Sequence, residues 1–168
     1  MKSHPPQDEY FCTLHSIEDK KDFSMSDFNR VFHHIIPLQI RFNDIDKFGH
    51  VNNTVYFQFY DTAKTDYFAS VCKDVDWENT AIVVAKIEAE FIAQIEANNR
   101  IAAGTCVTRI GNKSFTLEQD VFDADTKELK SRCLSVMVLY DLKSRKTMAF
   151  PDSWRKAIIE YEGLAESH

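Results

Sequence analysis

The sequence predicts an α+β fold in which one long helix packs on an antiparallel sheet. Strand-like runs follow one another between residues 83 and 141 with no helical pattern between them. Consecutive strands of this kind join as neighbours in one antiparallel sheet. A single ring-rich run, "NNTVYFQFYDTAKTDYFASV", has helical spacing instead; at about 18 residues and 1.5 Å per residue its helix would be about 27 Å long. The 168-residue chain has the length of one domain, enough to bury most of its apolar surface.

The elements follow in order. Residues 1–33 read as an N-terminal extension, with Pro5-Pro6, a charged run "SIEDKKDFSMSD" and a helix start capped by Ser26 or Asp27. From His34, "HIIPLQIRF" alternates Ile36, Leu38, Ile40 and Phe42 with Pro37, Gln39 and Arg41. That is the period of a strand with one buried face, and Pro37 places it at an edge or a strand start. In the long helix Val55, Tyr56, Phe59, Ala63 and Tyr67 share helical spacings, while Gln58, Asp61 and Thr65 line another face. Rings on most sides predict that this helix is wrapped, and that it is the most buried element.

The wrapper begins with "VVAKIEAEFIAQI", which puts Val83, Ala85, Ile87, Ala89, Phe91, Ala93 and Ile95 at period two. "RIAAGTCVTRI" follows the turn "EANNR", and Gly104 there permits a bend or a close approach. "SFTLEQDVF" and "LKSRCLSVMVLYD" supply two more strands on either side of "DADTKE". A last helix, "SWRKAIIEYEG", starts after Pro151 with Asp152 or Ser153 as cap. The expected division is therefore an extension over 1–33, a domain over 34–150, and a helix with tail over 151–168.

Composition excludes several classes. A net charge of -6 argues against a general nucleic-acid surface, so an anionic ligand would need a local cluster of Lys and Arg. The four cysteines, Cys12, Cys72, Cys106 and Cys133, lie far apart without a Cys-x-x-Cys pair. That spacing argues against a zinc ribbon or redox motif, and nothing forces a disulfide framework. His33 and His34 are adjacent, would point to opposite faces of a strand and lack a third ligand, so no metal site is expected. The N-terminus lacks the apolar core of a signal peptide, and no 18-residue apolar run occurs. The expectation is a reduced, cytoplasmic protein without a membrane span. Its 13 Phe predict a core or cleft rich in rings.

"NDIDKFGHVNN", residues 43–53, joins the first strand to the long helix. Gly49 permits a positive φ, and Asn52 and Asn53 suit helix capping. Asp44, Asp46 and Asn52 serve equally well as turn and cap residues. The same geometry supports chemistry. A helix N-terminus offers free N–H donors and partial positive charge to a developing oxyanion. A carboxylate just upstream can act as nucleophile or as base on water, and Asp46 has that place. His50 is a second candidate base, more suited to orienting the loop.

The stretch "D-I-D-K-F-G-H-V-N-N-T-V-Y" closely resembles the D-x-D-x-x-G-H-V-N-N-x-x-Y motif of hot-dog-fold acyl-CoA thioesterases, the 4-hydroxybenzoyl-CoA thioesterase-like superfamily. The resemblance extends through "IGNKSFTLEQDVFD", "VMVLYDLKSRK" and "FPDSWR", roughly residues 34 to 156. It implies a long central helix wrapped by a curved antiparallel sheet, dimers formed by joining two sheets, and active sites at the subunit interface. It also implies that Asp46, the acid before x-x-G, is the catalytic carboxylate. Lys47 and Phe48 occupy variable positions of the motif.

Three functions follow as expectations. The first is hydrolysis of an acyl-CoA thioester by Asp46 as nucleophile or general base. Its carbonyl would point at N–H groups around Val51 to Asn53, with Gly49, His50, Val51 and Asn53 lining the substrate. Coenzyme A enters as part of the substrate and no separate cofactor is expected; the chain would pair with itself as a homodimer or homotetramer. The second is an acyl-carrier-protein thioesterase, and the third a hot-dog domain that binds an acyl ligand or partner without turnover. Lys113, Lys143, Arg145 and Lys146 discriminate, since on the turns between late strands they could meet coenzyme A phosphates.

Overall fold

The structure, a computed structural model, describes residues 31–165. The expected helix start at Ser26 or Asp27, and Cys12, lie outside them. Strand β1 is His34–Leu38, a 3-10 turn covers Phe42–Asp44, and helix α1 is Asn53–Val71. Then come β2 Thr80–Phe91, β3 Ile101–Ile110, β4 Ser114–Asp123, β5 Leu129–Asp141, β6 Lys146–Thr147 and helix α2 Asp152–Glu162. The strands form one antiparallel sheet in the order β1-β3-β4-β5-β2, with β6 on β5. Helix α1 crosses the β1–β3 side of this sheet, and α2 packs against both β3 and α1. This is the hot-dog architecture.

The core lies between α1 and the sheet in two clusters. Towards the start of α1, Val55, Tyr56, Phe59 and Tyr60 meet Ile95, Ile101, Val121 and Cys133. Towards its end, Tyr67 and Phe68 meet Phe115, Leu117 and Leu139, closed off by Trp154 and Ile158 of α2. Under the middle of α1, Gln119 Nε2 donates to the Tyr60 carbonyl at 2.8 Å and the Tyr60 hydroxyl bonds Ser131. These bonds fix helix to sheet where packing alone would let it slide.

Four details differ from the sequence reading. First, β1 stops at Leu38, and the alternation through Ile40 and Phe42 does not continue as strand. Arg41 pairs with Asp44 instead, curling the chain into the 3-10 turn and leaving Phe42 96% exposed. Second, β2 slips register between Val84 and Lys86 and ends at Phe91, so strict alternation breaks at a bulge. Ile95 is buried nonetheless, packed in the cluster with Val51, Val55 and Tyr56, and its carbonyl accepts the Val51 N–H at 2.8 Å.

Third, the most buried element is β3, where Ile101 through Val107 are all buried, rather than α1. A single sheet covers only one side of α1, so Gln58, Asp61, Thr62 and Thr65 stay exposed. Strand β3 has α1 on one face, and at Gly104 it meets the Phe32 ring: a Cβ there would lie 2.5 Å from Phe32 Cγ. The close approach that Gly104 permits is thus a ring on backbone. Fourth, the N-cap of α2 is Pro151 without a side-chain bond, so neither Asp152 nor Ser153 caps it.

Candidate active site

The loop from Arg41 to Asn53 is built in two halves. In the first, the Arg41 guanidinium reaches Asp44 through Nη2 at 2.8 Å and Nε at 3.1 Å, while the Arg41 N–H donates to Asp44 Oδ2 at 2.7 Å. Burial pushes the Asp44 carboxyl up, but the hydrogen bonds and charge of Arg41 outweigh it and hold the acid below its ordinary value. The Asp44 carbonyl also accepts the Asn52 N–H at 2.9 Å. This half is a fastening between loop and helix.

The second half is a tight excursion closed by a bridge between Ile45 and Val51. The Asp46 N–H donates to the His50 carbonyl at 2.9 Å, and the Gly49 N–H to the Asp46 carbonyl at 3.0 Å. Gly49 takes φ +87°, a left-handed conformation that any side chain would strain. Asp46 Oδ1 accepts the Phe48 N–H at 2.8 Å, and among the described residues Oδ2 has no partner. Asp46 is therefore held by one bond on a half-buried side chain, with one oxygen available.

Helix α1 starts as the sequence suggests, with Asn52 as cap: its Oδ1 accepts the Thr54 N–H at 3.0 Å and the Thr54 hydroxyl at 2.8 Å. The N–H groups expected to face an oxyanion are fewer than Val51 to Asn53. That of Val51 is taken by Ile95 and that of Asn52 by Asp44. Only the Asn53 N–H, at the first helical residue, is without a partner among the described residues.

Asp46 borders two cavities. One, of about 540 Å³, brings Asp46, His50, Val51 and Asn53 together with Phe48, Tyr56 and Phe91, and the segment Ile92–Gln94 closes it. Tyr56 and Phe91 meet edge to face, centroids 5.1 Å apart, and burial pushes the Tyr56 phenol up, so it stays neutral. The other, of about 680 Å³, is more polar: Arg41, Asn43, Asn52, Thr54 and Gln58 line it, with Arg41 Nη2 bonded to Gln58 Oε1 at 2.5 Å. Sequence reasoning expects a core or cleft rich in rings but does not assign Tyr56 and Phe91 to the site. The available signals were Tyr56, one helical turn from Asn53, and Phe91 at the end of its strand run.

Lys113, Lys143, Arg145 and Lys146 do not join Asp46 within the chain. Lys113 sits on the β3–β4 turn, Lys143 and Arg145 on the β5–β6 turn and Lys146 at the start of β6, all at the end of the sheet where Thr80 pairs with Asp141. Phe91, beside Asp46, pairs with Ser131 at the opposite end. The twelve residues of β2 between them span roughly 35 Å at about 3.3 Å per residue. Among the described residues no group of three or more His, Cys, Asp or Glu is placed to hold a metal.

Comparison with known proteins agrees with this fold. A model of the Thioesterase-like superfamily matches residues 40–158. The chain is 28% identical to the PA5185 protein of Pseudomonas aeruginosa, with a TM-score of 0.71 over 77% of this chain and 92% of that one. A thioesterase from Thermus thermophilus, solved with coenzyme A and zinc, is 26% identical with a TM-score of 0.70 over 80% and 98%. The chloroplastic acyl-acyl carrier protein thioesterase ATL2 of Arabidopsis thaliana is 26% identical over 117 residues, which are 68% of this chain and 62% of that protein. With the matched segment spanning the loop, α1, strands β2 to β6 and the start of α2, the chain belongs to the thioesterase-like superfamily and has its hot-dog fold.

Proposed function

We propose that this protein hydrolyses acyl-CoA thioesters, with Asp46 as the reacting carboxylate and the Asn53 N–H as oxyanion donor. The observation that carries this reading is that Asp46 and Asn53 line one ring-walled cavity, and that among the described residues the acid keeps one oxygen and Asn53 its N–H without a partner. As nucleophile, Asp46 would attack the carbonyl carbon, expel the thiolate and leave a mixed anhydride for water to cleave. As base, it would take a proton from water as that water attacks. Either route ends in a free acid and the coenzyme A thiol. A thiolate leaves readily, so the site needs no strong general acid, which suits a cavity whose one phenol is neutral. Gly49, His50 and Val51 hold the loop in its turn around Asp46.

The family match supports thioester hydrolysis, and the coenzyme A complex of the Thermus relative supports coenzyme A as carrier. The likeness to a plant acyl-acyl carrier protein thioesterase favours a second reading, the same chemistry on a thioester carried by a protein. This chain matches only 62% of that plant protein. A homodimer fits both readings, because β2 is an open edge strand and the ring-lined cavity lies at its end. No helix among the described residues is long and apolar enough to cross a membrane. Cys72, Cys106 and Cys133 are thiols rather than disulfides, in keeping with a cytoplasmic setting.

The test is a panel of acyl-CoA and acyl-carrier-protein thioesters assayed for thiol release, with Asp46→Asn alongside. Turnover by the wild type and its loss in the variant are expected. Equal turnover by a folded Asp46→Asn protein would reject the assignment.

A further inference from the structure

The sheet has two faces, and helices α1 and α2 both pack on one of them. Residues paired across an antiparallel sheet point the same way, so the register gives the other, outer face. Across β3, β4, β5 and β2 its central rows are Cys106–Glu118–Leu134–Glu88 and Gly104–Asp120–Arg132–Glu90. An antiparallel sheet with one face in water carries exposed polar side chains there. Here Cys106 is 1%, Glu118 5% and Leu134 8% exposed, while facing away from both helices. Val138 is buried on the same face, and Arg132 and Val136 are half-buried. Among the described residues, Phe32 seats its ring on this face, against Gly104. That ring lies over β3, and Leu134 is two strands away, about 10 Å at about 4.8 Å per strand. Phe32 leaves most of the face to another cover.

We propose that residues 1–30 pack over the outer face of their own chain's sheet and keep it from stacking on a second copy. The inference is independent of the thioesterase reading. The chain reaches Phe32 already on this face, so no linker has to carry the segment there. Five strands side by side are about 19 Å wide at about 4.8 Å per strand. Thirty residues reach across even if fully helical, since at about 1.5 Å per residue their length is about 45 Å. The segment brings Phe11, Leu14, Ile17, Phe23, Met25 and Phe28 to the apolar part of the face around Leu134 and Val138. It also brings Lys20, Lys21 and Arg30 to a face whose acids gather on one guanidinium. Asp120 takes Arg132 through Nε and Nη2, both at 2.8 Å, and Glu90 and Glu118 add to it in holding that guanidinium's pKa above its ordinary value. A second copy's sheet fits less well. Stacked face to face, it would set Glu118 and Asp120, on the middle strand, against an identical pair.

The outer face carries its own reporter, the Cys106 thiol, while Cys72 and Cys133 lie on the α1 side. In a Cys12→Ser background, maleimide labelling of the folded full chain is followed site by site by peptide mass spectrometry. Cys106 should react as slowly as Cys133. Adding Phe11→Asp/Phe23→Asp/Phe28→Asp should speed Cys106 roughly tenfold or more and leave Cys72 and Cys133 protected. The same variant should show a higher mass than the wild type in light scattering at equal concentration, as the bared face stacks. An unchanged Cys106 rate or an unchanged mass overturns the proposal. Cross-linking of the unaltered protein decides the matter even where that variant unfolds. In a mixture of isotope-labelled and unlabelled chains, a lysine cross-linker should join Lys20 or Lys21 to Lys86, exposed on the outer face, within one chain. Links to Lys86 between chains only, or links to Lys73 beside α1 instead, overturn the proposal.

Discussion

Asp44 and Asp46 stand two residues apart in one loop and have become different instruments. Asp44 is 2% exposed, is bonded by Arg41 through both guanidinium and backbone, and uses its carbonyl to hold Asn52. Asp46 is half-buried, accepts one N–H, and borders both cavities. A carboxylate with all its acceptor sites occupied is a fastener, whereas reaction needs an oxygen free to approach a carbon or a proton. Residue type and spacing cannot separate the two. Their partners can.

Exchanging each acid for its amide should split the two roles. In Asp46→Asn the amide oxygen can still accept the Phe48 N–H, so the turn survives and the melting temperature should move little. The kcat should fall by about 10²-fold or more, with a smaller change in KM, since the lost carboxylate acts in the transition state. Steady-state kinetics with a thermal melt on the same sample reads both. A protein that melts early yet turns over normally would exchange the roles assigned here.

Asp44→Asn should do the opposite. It leaves Arg41 without its counter-charge; a broken buried pair costs about 3–5 kcal/mol, and because Arg41 is over half exposed we expect about 2 kcal/mol. For a domain of this size that lowers the melting temperature by roughly 4–8 °C. The turnover of the molecules that remain folded should change far less than in Asp46→Asn. The pH dependence sharpens the point. The folded-state pKa of Asp44 is held below its unfolded value, so its contribution is complete above about pH 4 and disappears as pH falls through the lower folded value. Urea midpoints of wild type and Asp44→Asn should therefore differ by a constant amount from pH 8 to 5 and converge below about pH 4. A gap that widens on acidification would contradict the pairing.

Much of this loop was legible beforehand, and what was hidden has a common cause. The positive φ of Gly49 and the cap at Asn52 follow from local rules, and the structure has both. The long helix and the run of antiparallel strands follow from periodicity. What periodicity could not show is where distant segments meet. Val51 loses its N–H to Ile95, a residue far along the chain, and with the Asn52 N–H on Asp44 that leaves Asn53 as the candidate donor of the proposed oxyanion site. The end of β1 at Leu38 depends on the Arg41–Asp44 pairing, which overrides a good alternating pattern. The sequence marks Lys113 and Arg145 as cations that could meet coenzyme A phosphates, but only the register shows a strand's length between them and Asp46 within the chain.

The smallest expected effect concerns the residue that ties the halves together. Asn52 gives its N–H to Asp44 and caps α1 with its side chain, while the next residue, Asn53, lines the cavity and its N–H has no partner among the described residues. Asn52→Ala should keep the backbone bond and lose the cap, costing about 1 kcal/mol and a few degrees of melting temperature. Asn53→Ala should cost less stability, because its side chain makes no cap bond and its N–H belongs to the backbone. If only that N–H meets the oxyanion, kcat in Asn53→Ala should stay within a few-fold of wild type. A larger loss would mean that the Asn53 amide itself touches the acyl group or the attacking water. A loss in Asn52→Ala that exceeds that in Asn53→Ala would mean that the cap, by fixing where the helix begins, sets the direction of the donor. Comparing the two variants at equal folded fraction separates a donor misplaced by a frayed first turn from one that has lost a neighbour.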